Sequence, residues 1–172
     1  MLRYCTNYIL LNVISPLIPH PKVRALYLKL LGASIGKNVR IERVIFIQVQ
    51  NSITNLCCGD NSFIGSQVIL DLSEAIVLGN YAIIAPGCSV ITHQDFGDFN
   101  GNKLSTIFKT KYRPVRLLEN AVIGADTTIL AGSIIGSCSI VGAKSLVNGD
   151  VPEKTLVSGI PAKVVKYFGD TI

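Results

Sequence analysis

Apolar residues recur every six positions over most of the chain, a spacing that fits neither a helix nor a simple alternating strand. The clearest run is Ile123, Ile129, Ile135, Val141 and Val147, all in phase. Most of these anchors are followed by a small residue, as in Ile123-Gly124, Ile135-Gly136 and Val141-Gly142. Four positions after each anchor sits another small or apolar residue: Thr127, Ser133, Ser139, Ser145 and Val151. Earlier stretches carry the same unit with breaks of phase, from Ile35-Gly36 to Ile41-Glu42, from Cys58-Gly59 to Leu70-Asp71, and from Leu78-Gly79 to Val90-Ile91. A fixed hexad is the mark of a parallel β-helix. Each hexad predicts a short strand and a turn, and three hexads close one coil. Roughly 90 residues carry the pattern, which predicts about five coils stacked ~4.8 Å apart. The anchors point into the core. The position after each lies at a corner, where bulk is poorly tolerated and glycine permits an unusual φ. A β-sandwich with coincidental spacing is the competing architecture, and five in-phase anchors count against it.

The breaks in the pattern divide the chain. Residues 1–31 precede the repeat and predict a helical appendage. Residues 32–151 form the β-helix, interrupted by an excursion at 94–116 that contains QDFGDFNGNK and KTKYRP. Long irregular segments of this kind are usually lids or disordered connections. Residues 152–172 predict a short strand and a tail, with Pro152 stopping the coil. The apolar run from Tyr8 to Ile18 is broken by Asn12, Ser15 and Pro16. It falls short of the ~20 apolar residues a membrane span needs. The first 31 residues read either as a helix packed on the body or as an amphipathic helix resting on a membrane surface, where Arg3, Lys22, Arg24 and Lys29 would suit anionic lipid. No signal peptide is expected, which predicts a cytoplasmic protein that can touch the inner membrane face as a peripheral guest.

Composition narrows the function. Charged residues are only 16% of 172, against a usual ~25%. The net charge of +5 is mild, there is no Trp, and aromatics are 7%. These values argue against a nucleic-acid partner. Five Cys at 5, 57, 58, 88 and 138 are odd in number, and Cys57 and Cys58 are adjacent. They read as reduced, packed thiols. With only His20 and His93 and no CxxC, no metal site is expected.

The segments LGASIGKNVRI (31–41), IVLGNYAIIAPGCSVITHQDF (76–96), RPVRLLENAVIGADTTILAGSIIG (113–136) and VSGIPAKVV (157–165) together resemble the hexapeptide-repeat acyltransferases. The closest branch contains the galactoside, maltose and nodulation O-acetyltransferases and those that act on bacterial polysaccharides. The resemblance implies a left-handed β-helix, a homotrimer and acetyl-CoA as donor. The left hand rests on the resemblance alone, since crossovers are otherwise right-handed.

Acetyl transfer to a hydroxyl needs a base, a stabilised oxyanion and two substrates held together. His93, in VITHQDF just before the excursion, is the expected general base, because an imidazole with its ordinary pKa near ~6.5 exchanges protons at neutral pH. Its second ring nitrogen would be held by a backbone carbonyl, Asp95 or Asp98. Asp71 and Asp95 are expected to bind the acceptor, Asp71 by likeness to the acid that contacts acceptor hydroxyls in related enzymes. The resemblance also implies a donor site between subunits. Ala125, Ala143 and the Asn148-Gly149 corner would admit the pantetheine arm, and Lys163 and Lys166 would meet the nucleotide phosphates. His20, between two prolines, reads as structural.

The acceptor expected is a sugar or polysaccharide precursor. An N-acetyltransferase for an amino sugar or antibiotic remains open, since the same base serves an amine. A non-catalytic β-helix subunit also remains open, although His93 beside an acidic loop counts against it. A β-helix carbonic anhydrase needs three zinc-bound histidines, and the chain has two in all.

Overall fold

A computed structural model describes residues 2–50, 53–97 and 100–169. The hexads build a left-handed parallel β-helix with three walls. The first wall stacks Ser34–Ile35, Leu56–Cys58, Ile76–Leu78, Val115–Leu117 and Ile134–Ile135. The second stacks Arg40–Ile41, Phe63–Ile64, Ile83–Ile84, Val122–Ile123, Ile140–Val141 and Thr155–Ser158. The third stacks Ile45–Ile47, Ile69–Asp71, Ser89–Val90, Thr128–Ile129 and Leu146–Val147. The pairing is parallel and in register, anchor on anchor: Ile84 meets Ile123, and Ile123 meets Val141. Every anchor from Ile64 to Val141 is buried, so the core is one continuous aliphatic column.

The helix runs slightly longer than the expected five coils, at about six turns. Pro152 does not stop it. Val151 bridges to Ile135, and Thr155–Ser158 pairs with Ile140–Val141. The chain then reverses, and Lys163–Tyr167 runs antiparallel to Thr155–Ser158. The excursion is also shorter than expected. Val115 and Arg116 already belong to a wall, paired with Ile76 and Val77.

Glycine after the anchor serves a different purpose from the one expected. Gly59 and Gly124 do not have the positive φ. A Cβ on Gly59 would lie 2.7 Å from the backbone nitrogen of Asn80, and one on Gly124 would lie 2.5 Å from that of Ala143. Stacked corners approach too closely for any side chain. The left-handed φ falls two residues later, at Asn61, Asp126, Cys138 and Lys144, with φ between 56° and 58°. The buried hydroxyls near the next strand close the corner: Ser139 Oγ donates to Gly136 O at 2.6 Å, and Ser145 Oγ to Gly142 O at 2.7 Å. This removes the cost of burying them.

Residues 2–30 cap the open end of the column. Helices α1 (Leu2–Tyr8), α2 (Ser15–Leu17) and α3 (Pro21–Leu30) are joined by a π-helical stretch, Ile9–Ile14, between the first two. His20 N-caps α3, its Nδ1 accepting from Lys22 N–H at 3.3 Å. Leu11, Ala25 and Leu28 extend the aliphatic core under the first coil. A first coil leaves unpaired backbone groups on each wall, a liability in any sheet. Here one cap side chain answers each wall. Lys29 Nζ donates to Ile35 O at 2.8 Å, and Arg24 Nη1 to Ile41 O at 2.6 Å. Asn12 bonds both the N–H and the C=O of Phe46 at 2.9 Å. Arg24 also donates to Ser15 O at 3.1 Å and to Ile18 O, and its guanidinium lies 3.8 Å from Glu42.

Candidate active site

Most slips in the hexad repeat fall on one corner, between the third wall and the first. Anchor spacing widens there from Phe46 to Cys58, from Leu70 to Leu78 and from Val90 to Leu117. The first three coils therefore bulge outward along one edge. That edge carries an open cleft of about 580 Å³ around His93. Gln48 and Gln50 from the first coil, Ser73 and Glu74 from the second, and Asp95 and Tyr112 from the excursion border it.

His93 opens the excursion as one strand of a short antiparallel hairpin, His93–Gln94 against Lys111–Tyr112. The Tyr112 ring stacks over the imidazole with centroids 6.3 Å apart and an angle of 24°. Phe96 and Phe108, 5.2 Å apart, close the excursion, which also holds the short helix Lys103–Ile107. Among the described residues the excursion is a built hairpin rather than an irregular lid. Asp98 lies outside the described residues.

The group that holds His93 is Asp71, from the coil before. Asp71 Oδ2 lies 2.6 Å from His93 Nδ1 and also accepts the backbone N–H of Thr92 at 2.8 Å and of His93 at 3.1 Å. Oδ1 accepts the Ser73 backbone N–H at 3.0 Å and its hydroxyl at 2.7 Å. Ser73 Oγ itself lies 3.2 Å from His93 Nδ1. Thr92 Oγ1 ties the two coils, donating to Asp71 O at 2.9 Å and accepting from Glu74 N–H at 3.0 Å. Burial pushes the Asp71 carboxyl up. The bonds from His93, Ser73 and Thr92 together outweigh that and hold it below the usual carboxylate range. An ionised carboxylate only accepts, so the imidazole proton sits on Nδ1. Nε2 is left with its lone pair. The His93 side chain is 19% exposed and the Asp71 side chain 0%.

The expectation that Asp71 contacts the acceptor does not hold. It is fully buried, and both its oxygens are taken by protein donors. Asp95 does not hold the ring either: its Oδ1 accepts the Gly97 N–H at 2.8 Å, and it stands exposed on the cleft wall beside His93. Glu74, Gln48, Gln50 and Tyr112 were missed by the sequence reading. They lie in phase breaks and in the excursion, where no repeat position indicates direction.

The remaining expected positions fall into three places. Asn148 and Gly149 are exposed on the corner that carries His93, two coils further on. Ala125 and Ala143 stack on the corner between the second and third walls, linked by Lys144 N–H to Ala125 O at 2.8 Å. Lys163 and Lys166 are exposed on the outer strand of the terminal hairpin. Within one chain these groups line different edges. All five cysteines are free thiols, and burial, with Cys57 alongside, pushes Cys58 up to about 12. No group of three metal-ligating side chains occurs among the described residues.

No family model matches the chain. WbbJ of Escherichia coli K12, named for lipopolysaccharide-biosynthesis O-acetyl transfer, is 31% identical over 119 residues, covering 63% of this chain and 59% of its own length. The chain thus spans less than two thirds of that relative. Galactoside O-acetyltransferase of the same organism is 25% identical over 145 residues, covering 83% of this chain and 68% of its own. A hexapeptide-repeat acetyltransferase of Vibrio cholerae superposes with a TM-score of 0.84, over 98% of this chain and 92% of that one, at 23% identity. That protein is also solved in complex with acetyl coenzyme A, with a TM-score of 0.82. At this identity the superposition establishes a shared fold.

Proposed function

From its place among the hexapeptide-repeat acyltransferases, we infer that the chain moves an acetyl group from acetyl-CoA to a sugar hydroxyl, in the building of surface polysaccharide. The observation that carries this reading is the 2.6 Å contact between His93 Nδ1 and the buried Asp71 carboxylate. It leaves Nε2 as the one ring atom free to act, at the edge of a cleft lined by amides, carboxylates and a phenol. Such a lining suits a polyhydroxyl acceptor better than an apolar one. Nε2 takes the acceptor hydroxyl proton as the oxygen attacks the thioester carbonyl. The C–S bond then breaks, and the imidazolium returns the proton to the departing CoA thiolate. Asp71 stabilises the imidazolium between the two steps without itself being protonated.

The donor positions fit an extended arm. Ala125 and Ala143 offer a strip without bulk, and the Asn148-Gly149 corner offers backbone along the His93 edge. Exposed Lys163 and Lys166 suit phosphates. These sets line different edges of one chain, which supports a homotrimer in which neighbouring subunits complete one donor site. Asp95 stands where an acceptor hydroxyl can meet it. Acetyl-CoA as donor would support a cytoplasmic site of action. Among the described residues no helix is long and apolar enough to cross a membrane.

An acceptor screen with acetyl-CoA, following thiol release over sugars, nucleotide sugars and amino sugars, tests the reading. Sugar-dependent release that drops about 10²–10⁴-fold in His93→Ala, with the trimer intact, is expected. Release with amines alone would convert the reading to N-acetylation. No donor binding by calorimetry would return the chain to a structural role.

A further inference from the structure

The helical cap is apolar on the wrong side for a protein that ends in water. Its inward face is spent on the column, through Leu11, Ala25 and Leu28. Its outward face should then be polar. On α3 the residues opposite Ala25 and Leu28 are instead Val23, Leu26 and Leu30, with Leu30 79% exposed. Before it, Tyr4, Tyr8, Ile9, Val13 and Leu17 are all exposed, Leu17 at 75%. Tyr4 and Tyr8 stack at 6.2 Å, giving an aromatic strip with polar tips. Such rings favour the boundary between lipid and water.

Charge selects the occupant. The first acidic residue of the chain is Glu42, and six of its 16 Lys and Arg precede it. The rest of the chain carries ten basic residues against eleven acidic ones, so the whole positive excess lies in the cap and first coil. Arg24 and Lys29 bind carbonyls of the first coil, while Arg3, Lys22, Lys37 and Arg40 stand exposed around the cap. Apolar side chains ringed by cations that outnumber the nearby anions match a negatively charged bilayer surface. We propose that the outward face of the cap seats the protein on an anionic phospholipid surface.

Gln48 borders both the catalytic cleft and the gap beneath Tyr4 and Tyr8. A docked molecule therefore holds its cleft one coil from the lipid, within reach of a membrane-carried acceptor. That consequence rests on the acetyl-transfer reading, and the docking itself does not.

The test is sedimentation of the full-length protein with vesicles of phosphatidylcholine alone or mixed with phosphatidylglycerol. Binding to the mixed vesicles, weak binding to the neutral ones and release by salt are expected. A Leu17→Ser/Leu30→Ser variant should partition at least about tenfold less, because each leucine loses apolar burial. Its circular dichroism and its thiol release on soluble acceptors should match wild type, which separates failed docking from failed chemistry. Wild type that ignores mixed vesicles, or binds both kinds equally, overturns the proposal, as does a folded variant that binds as wild type does. A variant that sediments as a smaller oligomer, when wild type binds no vesicles, overturns it too and assigns the face to a second copy of the chain.

Discussion

Asp71 Oδ2 lies 2.6 Å from His93 Nδ1, across two neighbouring coils and 22 positions of sequence. Backbone N–H groups of Thr92 and His93 fix the carboxylate, so the imidazole is aimed by the solenoid itself rather than by its own loop. A base held in one tautomer by a buried acid loses little to reorganisation when it takes a proton.

Asp71→Asn tests that coupling. An amide nitrogen in the place of Oδ2 would donate to Nδ1 and drive the ring proton to Nε2, while the N–H groups of Thr92 and His93 would lose their acceptor. We expect kcat to fall by about 10²–10⁴, with the KM for acetyl-CoA almost unchanged. Nitrogen NMR of the imidazole should report the exchanged tautomer. Turnover within a few-fold of wild type would remove Asp71 from the mechanism.

The same carboxylate makes stability depend on pH. Its folded pKa is below the unfolded value near ~3.9, because the bonds from His93, Ser73 and Thr92 outweigh burial. Its contribution is complete above the unfolded value and disappears as pH falls through the folded one. Denaturant midpoints should therefore drop more steeply below about pH 4 in wild type than in Asp71→Asn. Parallel curves for the two proteins would contradict this.

Lys163→Glu/Lys166→Glu should raise the KM for acetyl-CoA a few-fold and leave the acceptor KM alone. Both side chains are exposed, so the effect should shrink in high salt. Steady-state kinetics at two ionic strengths decide it. An unchanged donor KM in low salt would move the nucleotide elsewhere.

Arg24 is 1% exposed and donates to three carbonyls, those of Ser15, Ile18 and Ile41; Ser15 O also accepts the Ile18 N–H at 3.2 Å. Arg24→Met fills the space yet takes the donor from Ile18 O and Ile41 O, and should cost about 3 kcal/mol of stability. Thermal denaturation should show the cap region loosening first, with hydrogen exchange rising in residues 2–47. A shift no larger than that of an exposed Lys22→Met control would sink the assignment.

Much of this molecule is written in its hexads. The repeat is a local signal, and a coil closes after a fixed number of residues. Anchors such as Ile123, Ile129 and Ile135 therefore reveal the walls, the core and the place where the pattern breaks at His93. Only the tertiary structure decided the rest. Between Leu70 and Leu78 the repeat slips, and without a phase no sequence reading can say whether Asp71 points to solvent or inward. The stack settles it, burying Asp71 under the donors of the next coil. The glycines were legible as corner residues, but their reason, backbone of the next coil 2.5–2.7 Å from the missing Cβ, exists only between coils. Lys29, Arg24 and Asn12 looked like ordinary polar residues of a surface helix. Each became a cap for one wall because a first coil has no neighbour below it, and that need belongs to the assembled sheet rather than to any stretch of chain.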